Sequence, residues 1–131
     1  MLDVEQLRSY CLNKLAVIEL MPFDDETLVF KVMDKMFALI PLEARPLTIS
    51  LKCDPERAIE LRAQYEGIIT GAYHMNKKHW NSVIVDGSLP DSLVTELIDH
   101  SYDLVALRLK KSEQLYLFSE GYTAALFKKE R

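Results

Sequence analysis

The sequence predicts a single α+β domain, a mainly antiparallel sheet of about five strands with its helices on one face. Three observations carry that reading. Helical and strand-like segments follow the order helix, strands, helix, strand, helix, without the regular β–α–β alternation of a parallel sheet. The central strand-like segments are joined by short turns, which antiparallel neighbours permit and parallel ones do not. Residues 47–52, Leu-Thr-Ile-Ser-Leu-Lys, alternate apolar and polar side chains, the period of a strand with one buried and one wetted face.

A first helix is expected from about Val4 to Leu15. Asp3 stands at its N-cap and Gln6 three residues on completes a capping box, while Val4, Leu7, Cys11 and Leu15 share a stripe at helical spacing. Ala16–Leu20 is a short apolar run, broken by Met-Pro-Phe-Asp-Asp at 21–25. Thr27–Val32 and Met36–Ile40 flank Met33-Asp34-Lys35 as a hairpin, and Pro41 to Pro46 bracket a loop. In the strand that follows, Leu47, Ile49 and Leu51 face the core and Thr48, Ser50 and Lys52 face water.

Cys53-Asp54-Pro55-Glu56 opens a second helix: Asp54 caps, proline suits the first helical position, and the glutamate complements the positive helix end. Ala58, Leu61, Arg62 and Tyr65 share its face and Gly67 stops it. Residues 68–79 hold no sustained period and read as a loop or irregular edge. Trp80–Val85 is the last strand, ended by Asp86-Gly87-Ser88. The longest helix starts around Ser88–Asp91 and runs to about Leu109, with Leu93, Leu97, Ile98, Tyr102, Val105 and Leu109 on its apolar side. Beyond it, Leu115, Phe118, Tyr122 and Ala125 suggest a short helix interrupted by Gly121. The chain thus divides into a domain at 1–109 and an extension at 110–131.

Composition excludes several classes. With 131 residues, 49% hydrophobic and 27% charged, the chain is long enough for a core of its own and unlike a disordered or collagenous sequence. No apolar run approaches the ~18–20 residues of a membrane span, and the first ten residues lack a secretory signal's apolar stretch. Cys11 and Cys53 read as reduced thiols of a cytoplasmic protein. Residues 1–109 hold 11 basic and 17 acidic side chains, a net of −6, whereas 110–131 carry +2. An anionic body repels a polyanion at long range, so nucleic-acid binding requires a local basic face.

Residues 71–80, Gly-Ala-Tyr-His-Met-Asn-Lys-Lys-His-Trp, offer one. No acid occurs between Glu66 and Asp86, Lys77 and Lys78 supply fixed charge, and His74 and His79 add charge below about pH 6.5. Tyr73 and Trp80 bring ring surface able to stack on a base or sugar; alternatively the loop is a solvated basic turn anchored by Trp80. With Lys52 from the wetted strand face, the candidate nucleic-acid-binding set is Lys52, Tyr73, His74, Asn76, Lys77, Lys78 and His79. The partner this set suggests is DNA; an acidic protein or a phosphorylated small molecule would suit the same charges, and no membrane partner is expected.

Other chemistry finds less support. His74 and His79, five apart and without a third ligand at a recognisable spacing, do not form a metal motif. Cys53 precedes a helix N-terminus, which lowers a thiol pKa, and His74, His79 or His100 would be its base; otherwise it is a partly buried residue ending a strand. Glu96, Asp99, His100 and Asp103 read as a solvated acidic helix face. No G-x-S-x-G elbow, P-loop or G-x-G-x-x-G is present, so no catalytic residue and no cofactor is assigned.

The strings Phe-Lys-Val at 30–32, Lys-Met-Phe-Ala-Leu at 35–39, Ser-Leu-Lys-Cys-Asp-Pro-Glu at 50–56, Leu-Arg at 61–62, Tyr-His-Met-Asn-Lys-Lys-His-Trp at 73–80, Asp-Gly-Ser-Leu-Pro-Asp at 86–91 and Leu-Ile-Asp-His-Ser-Tyr at 97–102 resemble the MmcQ/YjbR family of small bacterial proteins over roughly residues 3–109. The resemblance implies a compact α+β domain similar to the frataxin-like arrangement and to the double-wing DNA-binding domain of a phage transcription factor. It implies DNA binding by analogy of fold and brings no catalytic residues. The family's most characteristic stretch falls on His74, Asn76, Lys77, Lys78, His79 and Trp80.

Overall fold

A computed structural model describes residues 1–72 and 75–124. Helix α1 (Val4–Leu12) opens with the expected capping box: Asp3 Oδ1 accepts from the Gln6 N–H at 2.8 Å and Gln6 Oε1 from the Asp3 N–H at 2.9 Å. It stops three residues short of the expected Leu15. Asn13 caps it, and Ala16 turns the chain through a positive φ of 59° into β1 (Val17–Leu20). Leu7 and Cys11 are the residues it buries.

Strands β2 (Thr27–Val32) and β3 (Lys35–Pro41) form the expected hairpin. Its two-residue turn, Met33 and Asp34, has both φ angles positive, which suits the right-handed twist of the flanking strands. Phe30 pairs with Ala38 and Lys31 with Met36, so Phe37 is an extra residue, a β-bulge. The bulge turns both Phe37 and Ala38 into the core, where Phe37 meets Tyr102 edge-on at 5.3 Å between centroids. Burying an aromatic side chain of this kind contributes about 1.5–3 kcal/mol.

Strand β4 (Thr48–Lys52) is followed by α2 (Pro55–Gln64), with Asp54 accepting from the Arg57 N–H at 3.2 Å and Gly67 turning beyond its end at a φ of 82°. Among the described residues the sheet has six strands rather than about five. The addition is β5 (Ile69–Gly71), three residues and too short to show a period, which pairs antiparallel with β6 (Trp80–Ile84). Strand order is β1-β2-β3-β4-β6-β5, antiparallel throughout.

Helix α3 (Asp91–Ala106) crosses β2, β3 and β4, burying Val94, Leu97, Ile98, Tyr102 and Val105. Helix α4 (Lys111–Ser119) reaches the same core through Leu117, whereas Leu115 is 57% exposed and Phe118 40%. The expected stripe of the extension is therefore displaced by two residues at its first position. Phe118 stacks on Tyr122 instead, Gly121 ends the helix at a φ of 98°, and Ala125 lies outside the described residues.

The face of the sheet away from this core is not simply wetted. Val29, Leu39, Ala72 and Trp80 form a second buried cluster there, with Leu20, Met36 and Met75 packed against it.

Candidate functional site

Asn76 shapes the basic turn. Its carbonyl accepts from the N–H groups of His79 and Trp80, at 3.0 and 2.9 Å, and its side-chain Oδ1 accepts from the Lys78 N–H at 3.0 Å. Arg62 of α2 reaches across and holds the turn from outside: Nε donates to Asn81 Oδ1 at 2.8 Å and a terminal nitrogen donates to the Lys77 carbonyl. Lys77 and Lys78 are left exposed on a turn that is itself fixed. His79 is half-buried, and its carbonyl accepts from the Cys53 N–H at 2.8 Å, tying the turn to the end of β4. Trp80 is 7% exposed within the second cluster, so it anchors the turn and its ring is not a stacking platform for a base. Tyr73 and His74 lie outside the described residues.

Lys52 stands opposite Trp80 in the β4–β6 register, on the face away from the helices. Its ammonium is held below the ordinary lysine pKa, first by burial and then by the charges of Arg108 and Lys35. The antiparallel register sets the start of β3, the end of β4 and the start of β6 at one end of the sheet, a rim made of strand termini. Lys35, Lys52 and the Lys77–Lys78 turn thus share that rim, and Arg108 joins them from beyond the end of α3. Sequence reading missed Lys35 and Arg108 because only topology brings them to Lys52. The basic run Arg-Leu-Lys-Lys at 108–111 was the available signal for the second.

Of the remaining cations some are paired and some are not: Arg45 donates to the carbonyls of Leu42 and Ala44 and Arg62 to Asn81 and the Lys77 carbonyl, with no carboxylate partner among the described residues. Arg8, Lys14, Lys31 and Arg57 meet carboxylates at Glu19, Asp99, Asp34 and Glu96. Among the described residues Lys35, Lys52, Lys77, Lys78 and Arg108 form no ion pair with a carboxylate. The acids next to Lys35 and Lys52 in sequence have partners of their own: Asp34 pairs with Lys31 at 3.6 Å and Asp54 caps α2.

The presumed acidic face of α3 is a set of clasps. Asp99 accepts from the Tyr10 hydroxyl at 2.8 Å and from Lys14 at 2.6 Å, and Glu96 meets Arg57 at 3.0 Å. Asp103 is buried and accepts from the Tyr122 hydroxyl at 2.6 Å. His100 Nε2 accepts from the Asp54 N–H at 3.2 Å. Burial, then Arg57, depress its pKa, against the opposing pull of Asp54, Asp103 and Glu96.

Cys53 is buried, and that burial pushes its thiol up to about 11, outweighing Arg57 and the start of α2. A thiol at that value is protonated near neutral pH and is a poor nucleophile. Both cysteines are free. Among the described residues no group of three or more His, Cys, Asp and Glu side chains is placed to hold a metal ion, and no helix is long and apolar enough to cross a membrane.

Comparison with known proteins agrees with the fold. The crystal structure of Deinococcus radiodurans protein DR2400 superimposes with a TM-score of 0.83 at 46% identity, covering 89% of this chain and 88% of that one. A Pseudomonas syringae protein superimposes at 0.67 with 31% identity, over 79% and 98%. YjbR of Escherichia coli K12 is 38% identical over 102 residues, 77% of this chain and 85% of its own length. YbdF of Escherichia coli O157:H7 is 40% identical over 94 residues, 71% and 75%. The YjbR family model matches residues 12–104, and with these relatives it shows that the chain belongs to the YjbR family.

Proposed function

We propose that this protein binds the phosphate backbone of nucleic acid, DNA foremost, through the basic rim formed by Lys35, Lys52, Lys77, Lys78 and Arg108, as a binding module without catalysis, in the cytoplasm. The carrying observation is that Lys35, Lys52 and the Lys77–Lys78 turn stand at one end of the sheet, with the half-buried Lys52 ammonium depressed in pKa first by burial and then by the charges of Arg108 and Lys35. Like charges held together raise the folded state's energy, and an arriving anion relieves that repulsion. Asn76 and His79 serve by shaping the turn. The fixed backbone of residues 76–79 supports the reading, because a preorganised turn spares part of the ordering cost of binding.

Anisotropy titrations against labelled duplex and single-stranded DNA at about 50 mM salt test it. With about two to four phosphate contacts the affinity falls with salt at a log–log slope of roughly −2 to −4. Lys77→Ala with Lys78→Ala, and separately Lys52→Ala, weaken binding and flatten the slope by about one per lysine removed. Absence of binding at micromolar protein, or binding indifferent to these changes, contradicts the reading. An acidic peptide or phosphorylated metabolite that binds while DNA does not would assign the same cations a different anion.

A further inference from the structure

A cavity of about 460 Å3 opens on the sheet face away from the helices. That volume lies within the range of small-molecule sites. Its origin is in the sequence: Ser50 and Ser82 are direct partners in the β4–β6 register, at the middle of a face where larger strand residues would have closed the space. Leu39, Ala72 and Met75 supply apolar walls, and Phe23, 63% exposed, stands at the rim.

The polar groups restrict the occupant. Ser50 Oγ and Ser82 Oγ lie 3.3 Å apart, sharing one hydrogen bond, so the pair keeps a further donor and further lone pairs for a guest. Asp24 carries the sole formal charge among the described lining residues, and its Oδ1 accepts from the N–H groups of Glu26 and Thr27 at 2.9 and 2.8 Å. Among the described lining residues none is basic, so they offer an anion no partner. A flat ring, by contrast, suits the Phe23 face and the Met75 sulfur.

We propose that this cavity binds a small uncharged heteroaromatic molecule, its ring between Phe23 and Met75 and its hydrogen-bonding edge on the Ser50–Ser82 pair. The proposal is independent of the anion-binding rim and concerns a different ligand chemistry.

Indole, neutral and bearing one ring N–H, is a suitable probe in a titration of isotope-labelled protein followed by amide shifts. The expected result is saturable shifts at Leu39, Thr48, Ser50 and Ser82. Ser50→Val with Ser82→Val fills the space with residues that strands accept and abolishes those shifts. Phe23→Ala changes an exposed residue, so folding is retained, and weakens binding about fivefold. Lys77→Ala with Lys78→Ala leaves indole binding unchanged, which separates this site from the basic rim. Absence of shifts at these residues at millimolar indole overturns the proposal. So does binding undiminished by the valine pair or, should that pair fail to fold, by Phe23→Ala.

Discussion

Ser101 of α3 supplies the hydrogen bond that Lys52 of β4 does not receive from the neighbouring strand. The bulge at Phe37 ends regular β3–β4 pairing after Ala38↔Leu51 and Leu39↔Ser50. Into the gap Ser101 inserts its hydroxyl, donating to the Phe37 carbonyl at 2.5 Å and accepting from the Lys52 N–H at 2.8 Å. A helix side chain thereby holds the backbone from which the central lysine of the basic rim projects. Ser101→Ala leaves two backbone groups without this partner and destabilises the fold by about 2–3 kcal/mol, the scale of buried groups left unsatisfied. Urea unfolding measures the loss, and faster amide exchange at Lys52 locates it.

Lys52 is expected to be a residue whose binding role opposes stability. Its folded pKa is depressed, so at neutral pH the charged form is disfavoured in the folded state relative to the unfolded one. Lys52→Met keeps the stem and removes the charge. Because the side chain is partly solvated, the stability gain stays under about 1 kcal/mol, while DNA affinity falls. Denaturant midpoints and anisotropy on the same variant check both signs.

His100 sets a stability loss on the acid side. Its folded pKa lies below the ordinary 6.5, so the folded state favours the neutral ring that accepts from Asp54. The contribution is whole above about pH 6.5 and declines as pH falls through the folded value, with a slope of at most about 1.4 kcal/mol per pH unit. His100→Gln, which retains an acceptor but does not titrate, flattens this part of the stability–pH curve. A curve of unchanged shape counts against the assignment.

Tyr122 fastens the residues after α3. Burial and the hydrogen bond to Asp103 raise its hydroxyl pKa, and its ring meets Tyr102 edge-on at 5.6 Å. Tyr122→Phe keeps the ring and removes the bond, at a loss of about 1–2 kcal/mol. Unfolding measurements give the magnitude, and quicker proteolysis within residues 110–124 shows that the loss is local.

Much of this architecture is legible in the sequence where one local rule decides. The capping box at Asp3 and Gln6, the alternation of 47–52, and Asp54-Pro55 at the start of α2 each state their structure within six residues. What escapes is long-range. β5 is a strand because β6 offers it partners, not because Ile-Thr-Gly has a period. Glu96, Asp99 and Asp103 read as a wetted face until α1, α2 and Tyr122 are seen to meet them. Within the candidate site, Lys77 and Lys78 show themselves as a charge run, whereas Lys35 and Arg108 reach Lys52 from 17 residues before it and 56 after it. The burial of Trp80 follows from a second apolar cluster that no single segment announces.

The most direct measurement is the titration of the Lys52 ammonium itself, by side-chain NMR, with and without a short DNA duplex. The account predicts a depressed pKa in the free protein that rises when the duplex is added, because a phosphate's negative charge then offsets the burial and the repulsion from Arg108 and Lys35 that lower it. A Lys52 pKa that does not move while DNA is bound, or that is already ordinary in the free protein, would contradict it.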